Sequence, residues 1–93
     1  MRTIERSTRF KRDYKRELKG KHRATLDADL MPVLVALASD APLDPKYQDH
    51  GLSGEWTGCR DCHVKSDLVL IYVKPDDETL RLARLGSHGE VFG

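Results

Sequence analysis

The chain contains no run of 18 or more consecutive apolar residues, so no segment of it reads as a membrane-spanning helix. Its basic N-terminal stretch has no apolar segment of the kind a secretory signal carries, which predicts a cytoplasmic protein. Only two cysteines are present, Cys59 and Cys62. They are too few for a disulfide framework and would stay reduced in that compartment. Aromatic residues make up just 6% of the chain, and there is no Gly-rich phosphate loop, internal repeat or low-complexity tract. At 93 residues with 39% apolar side chains, one hydrophobic core uses nearly all of them. A single domain over residues 1–93 is therefore expected, and a multidomain enzyme or a deep enclosed pocket is not.

What the chain does have is an uneven distribution of charge. The net charge is only +1, but residues 1–23 carry ten Lys and Arg against three acidic residues, and residues 24–93 carry six against twelve. The sum hides a +7 end and a −6 remainder. Ten cations in so short a segment exceed what solubility needs and fit a structured polyanion such as RNA.

Residues 3–7 read as a weak first strand. Ser7 or Thr8 then caps a helix whose apolar stripe is Phe10, Tyr14 and Leu18, with Lys11, Arg12, Lys15, Arg16 and Lys19 on the wet side and Gly20 as the stop. Leu26, Leu30, Val33, Leu34 and Leu37 give a second helical pattern, interrupted by Pro32. Proline removes a backbone donor and crowds the preceding turn, so this helix is expected to kink there or to start near Met31. Residues 40–50, with two prolines and three aspartates, form a connecting loop.

Beyond the loop the period changes to extended. Residues 54–64 are interrupted by glycine, residues 67–73 (DLVLIYV) have the continuous apolar run of a central strand, and residues 80–85 close a hairpin after the acidic turn at residues 75–78. Strands segregated after helices imply an α+β fold: two N-terminal helices packed on an antiparallel sheet of about four strands.

Three constellations invite a chemical reading. Cys59-Arg60-Asp61-Cys62-His63 spells C-x-x-C-H, the pattern of covalent haem attachment, but that chemistry requires export and a second pair of zinc ligands is missing. The plain reading is two small residues in a strand. The histidines His22, His50, His63 and His88 are the second set. Taken singly, each is more often a surface or satisfied core residue, yet imidazole is the side chain best suited to accept and donate protons near neutral pH. Cleavage of a phosphodiester by its own 2′-hydroxyl needs such a base and such an acid, with a cation for the developing charge, and needs no metal. Arg84, Arg81 and Arg60 are available as that cation, and Asp67 could orient a partner or simply be a solvated charge at a strand start. The basic first helix is the third. Among the aromatics, Trp56 and Tyr72 are assigned to the core, and Phe92 near the end of the chain is left to stack on a base.

Tyr47-Gln48-Asp49-His50-Gly51-Leu52, Gly54-Glu55-Trp56, Arg60-Asp61, His63-Val64, Leu70-Ile71-Tyr72, Gly86-Ser87-His88 and Val91-Phe92-Gly93 resemble, in order and spacing, the YafQ branch of the RelE toxin superfamily. The resemblance implies a RelE-like fold and a toxin of a type II toxin–antitoxin system that cleaves mRNA on the translating ribosome without a cofactor. It implies His50, His63, Asp67 and His88 as catalytic residues, with His88 the acid and His50 the base. Arg84 would bind the phosphate and Phe92 the substrate base, and Asp61 falls on the same motif. Lys11, Arg12, Lys15, Arg16 and Lys19 would face ribosomal RNA. The partners implied are a cognate antitoxin with an acidic segment, the ribosome and mRNA. Leu68 stands where that family has a tryptophan, and Cys59, Cys62 and Pro32 also depart from its pattern. The rival expectation, since fold does not settle function, is a non-catalytic nucleic-acid- or gyrase-binding module of the same fold.

Overall fold

A computed structural model describes residues 1–93. The elements in chain order are β1 (Thr3–Arg6), α1 (Thr8–Glu17), α2 (Leu26–Ala38), β2 (His50–Gly51), β3 (Arg60–Lys65), β4 (Leu68–Val73), β5 (Thr79–Gly86) and α3 (His88–Phe92), with short 3-10 turns at Pro45–Tyr47 and Gly54–Trp56. No helix is long and apolar enough to cross a membrane.

The sheet has five strands in the order β1-β5-β4-β3-β2. The expected antiparallel meander is there as β3, β4 and β5, but the sheet is mixed, because β1 lies parallel to β5 with Ile4 opposite Leu80. Helices α1 and α2 intervene between β1 and the rest of the sheet, and a connection of that length allows a parallel pairing that a hairpin could not. The extra strand, β2, is only two residues long and pairs His50 with Asp61.

Ser7 caps α1, its hydroxyl accepting the Phe10 N–H at 3.0 Å, and Lys15 and Arg16 fall in the last turn where the helix dipole favours cations. The buried face differs from the expected stripe. Phe10 is in the core and Tyr14 packs against it, but Leu18 is 43% exposed, and the remaining buried residues are Asp13 and Glu17. The reason lies in β5. Strand β1 ends at Arg6, so the outer edge of β5 beyond it has no strand partner, and α1 supplies side chains in place of one. Ser7 Oγ donates to the Ala83 carbonyl at 2.9 Å, Asp13 Oδ2 accepts the Leu85 N–H at 3.0 Å, and Arg16 Nη2 donates to the Leu85 carbonyl at 2.8 Å. Buried backbone groups must find partners, so the face that covers this edge is polar rather than apolar.

Helix α2 starts at Leu26 and runs through Pro32 without ending there, so of the two alternatives the start near Met31 does not hold. An interior proline costs roughly 3 kcal/mol. Leu26, Leu30, Val33, Leu34 and Leu37 are buried on both sides of it, at about 1.5–3 kcal/mol each, and outweigh that cost.

Period-two alternation along β4 sorts its apolar run onto two faces. Leu68, Leu70 and Tyr72 join the core under α1 and α2, whereas Val69 and Ile71 join Val91 in a smaller cluster on the other face, with Leu52, Trp56, Cys59, Ala83 and Phe92 against it.

Candidate active site

That second face carries the candidate site. On β3, Cys62 and Val64 point into the helix-covered core, so Asp61 and His63 alternate to the other side. The β2–β3 register sets His50 opposite Asp61, and α3 starts at His88 immediately beyond β5. Ser87 fixes the start of α3 through a capping box: its hydroxyl accepts the Glu90 N–H, and the Glu90 carboxylate accepts the Ser87 N–H at 2.8 Å. A cavity of about 250 Å³ between these elements is lined by His50, Leu52, Ser53, Trp56, Asp61, His88 and Phe92. The His88 and Phe92 rings lie one helical turn apart with centroids 4.7 Å from each other.

Asp61 is only 1% exposed. His50 Nδ1 lies 3.0 Å from Asp61 Oδ1 and 2.9 Å from the Gln48 carbonyl oxygen, and Oδ1 is buried without an aligned donor. Both neighbours of Nδ1 are acceptors, so neutral His50 carries its proton there and presents an unprotonated Nε2. Burial pushes the Asp61 carboxyl above the usual carboxylate range, and the fields of His50, His63 and His88 pull it partly back. All three histidines thus act on one buried carboxylate.

The other expected site residues are placed differently. His63 faces a neighbouring groove shared with Lys46, Gln48 and Lys65 rather than the His50–His88 cavity. Asp67 sits in the β3–β4 turn, where its carboxylate pairs with Lys21 and, at 3.0 Å, with His22 Nε2; the hydrogen bond from Lys21 is the main reason it titrates below the usual range. Arg84 is held by Asp13, with Nε 2.7 Å from Oδ2 and Nη2 3.1 Å from Oδ1, while Nη1 takes no partner within the molecule. It lines a second cavity, with Trp56 and Phe92 as shared walls between that cavity and the histidine cavity.

Among the cations expected to face RNA, Arg16 does not stand free. Its guanidinium reaches Asp13, Glu17, Glu90 and the Leu85 carbonyl, because α1 turns this position toward β5 and α3. Lys11, Arg12, Lys15 and Lys19 are exposed on the far side. Trp56, expected in the core, is half-buried and walls both cavities; Tyr72 is in the core as expected. Sequence reasoning missed Asp13, the anchor of Arg84, and it counted His22 among the histidines without seeing it as the partner of Asp67. Asp13 had a signal: an acid amid cations, three residues after Phe10 and four before Glu17, on one helical face.

Cys59 packs in the smaller cluster and Cys62 in the helix-covered core, on opposite faces of the sheet, so the C-x-x-C-H residues do not converge on one group. Burial pushes the Cys62 thiol up to about 12. No trio of His, Cys, Asp or Glu side chains converges as a metal site would require.

The family model described as bacterial toxin of type II toxin–antitoxin system, YafQ, matches residues 2–93. The mRNA interferase toxin YafQ of Escherichia coli is 36% identical over 92 residues, 97% of this chain and 99% of that protein. The crystal structure of E. coli YafQ has a TM-score of 0.86 at 36% identity, with both chains covered in full. A chain of the crystal structure of the E. coli DinJ–YafQ complex gives 0.84 at 38% identity, again with full coverage of both. Matched over nearly its whole length in sequence and over all of it in fold, this chain belongs to the YafQ family of toxins of type II toxin–antitoxin systems.

Proposed function

We propose that the chain is a ribosome-dependent endoribonuclease that cuts mRNA in the cytoplasm and is held inactive by a cognate antitoxin. The observation that carries this reading is the placement of His50 and His88 around one cavity, with buried Asp61 beneath His50. The naming of the E. coli relative as an mRNA interferase supports the substrate, and the DinJ–YafQ complex supports the antitoxin.

The chemistry follows from the proton positions. His50 Nε2, unprotonated because Nδ1 lies against the Gln48 carbonyl, takes the proton of the 2′-hydroxyl. The oxygen attacks phosphorus, and His88 donates a proton to the departing 5′-oxygen, giving a 2′,3′-cyclic phosphate and a 5′-hydroxyl. Asp61 stabilises the imidazolium that forms on His50. Arg84, with Nη1 unoccupied, meets the charge on the phosphate, and Phe92 contacts the base. His63 and Asp67 act further along the β3–β4 hairpin, His63 through its field on Asp61. No step in this scheme calls for a metal. Lys11, Arg12, Lys15 and Lys19 grip ribosomal RNA, and an acidic antitoxin segment would compete for the same face.

The test is His88→Gln. It should abolish growth arrest on expression and the appearance of new mRNA ends while leaving the fold and ribosome co-sedimentation unchanged. Persistent toxicity would overturn the assignment.

A further inference from the structure

Of the groove beyond Phe92, the reaction just described uses only Arg84 and Phe92. The groove is a cavity of about 420 Å³ lined by Arg9, Glu55, Trp56, Arg84, Glu90, Val91, Phe92 and Gly93, and it meets the histidine cavity along Trp56 and Phe92. Two donors that the fold does not use belong to it: Arg9 is exposed and forms no ion pair or hydrogen bond within the chain, and Arg84 Nη1 is unpartnered. Of the two carboxylates in the lining, Glu90 is taken by the Ser87 N–H and Arg16, which leaves Glu55 as the unpaired anion.

Aromatic walls beside two guanidinium groups form the combination that binds a nucleotide: rings for the base, cations for the phosphate. The groove's place relative to the two histidines decides which nucleotide. Neither histidine lines it, but α3, which begins at His88, supplies Glu90, Val91 and Phe92, and the Phe92 ring packs on the His88 ring at 4.7 Å between centroids. The acid stands next to the leaving 5′-oxygen, so the groove lies on the leaving-group side of the cut.

We infer that Arg9 and Trp56, with Phe92 and Arg84, form a subsite for the nucleotide immediately 3′ of the scissile bond. Its base lies against Trp56 and Phe92, and its own 3′ phosphate reaches Arg9. This assignment rests on the cleavage reading above and adds Arg9 and Trp56 to it as substrate-binding residues.

The test uses ribosomes programmed with a message whose cut site has been mapped, and compares it with the same message made abasic at the nucleotide 3′ of the cut. The wild-type protein should cleave the abasic message about 10-fold more slowly or worse, the scale of one lost base stack. Trp56→Leu should slow cleavage of the intact message by a similar factor and shrink the abasic penalty to under about 2-fold, since the contact is already gone. Arg9→Ala, at an exposed position that does not threaten the fold, should slow the intact message and lose sensitivity to a methylphosphonate placed 3′ of that nucleotide. Abasic and methylphosphonate penalties that persist undiminished in both variants would overturn the subsite. Absence of cleavage of the intact message by the wild-type protein would instead overturn the nuclease reading itself.

Discussion

Asp13 on α1 holds the Arg84 guanidinium on β5 with both of its carboxylate oxygens, at 2.7 and 3.1 Å, across 71 residues of sequence. The same carboxylate accepts the Leu85 N–H, and at 4% exposure it is nearly shut off from water. One side chain thus completes the edge of the sheet and fixes one of the two arginines that line the proposed message-binding groove.

Removing Asp13 leaves Arg84, whose side chain is only 12% exposed, without its counter-charge. Asp13→Ala should destabilise the protein by about 3–5 kcal/mol, the usual cost of breaking a buried pair from one side, read as a fall in the denaturant midpoint. Adding Arg84→Met should recover part of that loss. Burial alone would raise the Asp13 carboxyl, but the bonds from Arg84 and the Leu85 N–H outweigh it and hold it low. Its contribution is therefore present above the ordinary carboxylate pKa of about 3.9 and lost as pH falls through the lower folded value. Wild-type stability should drop with acid in that window more steeply than that of Asp13→Ala; parallel acid profiles would contradict this.

Asp61 predicts the opposite sign. Its folded carboxyl titrates high because of burial, so stability falls as pH rises from about 3.9 through the raised value. Asp61→Asn should raise Tm at pH 7, each 1 kcal/mol reading as about 4–8 °C in a chain of this size, while message cleavage falls. The Tm advantage should vanish below about pH 4. A lower Tm at pH 7 would show that the carboxylate stabilises the fold.

At Gly86 a Cβ would lie 2.5 Å from Arg16 Nη2 and 3.1 Å from Glu90 Oε1. Gly86→Ala should displace Arg16 from the Leu85 carbonyl and cost about 1–2 kcal/mol by thermal or urea unfolding. In an Arg16→Met background the same change should cost less than about 0.5 kcal/mol. Equal costs in the two backgrounds would place the clash elsewhere.

The thiols should separate cleanly. Cys62 has no exposed surface and a thiol pushed up to about 12, whereas Cys59 is half-buried outside the main core. A thiol reagent at pH 8 should count at most one reactive group in the native protein and two in guanidinium. Two in the native state would mean that β3 opens readily.

Local physics made much of this fold legible. The Ser7 cap, the leucine spacing of α2 and the unbroken apolar run of β4 each require only neighbours in sequence, and each forms its expected element. The charge split located a cationic helix, and His50 and His88 marked the half that holds the candidate cavity. Where those readings failed, a distant partner was responsible. Leu18 is exposed and Arg16 engaged because the bare edge of β5 needs polar groups; Trp56 walls two cavities because α3 folds back beside it.

The sequence by itself determined the two long helices and the strands of the C-terminal meander, where the positive charge lies and which side chains could move protons, because periodicity and composition act over a few residues. Only the tertiary structure decided that His50 lies against Asp61 and shares a cavity with His88, that Asp13 holds Arg84, and that β1 joins the sheet in parallel. Those pairings depend on strand register and on which element covers which edge. They are fixed by the burial and hydrogen-bond demands of groups far apart in the chain, which no local pattern contains.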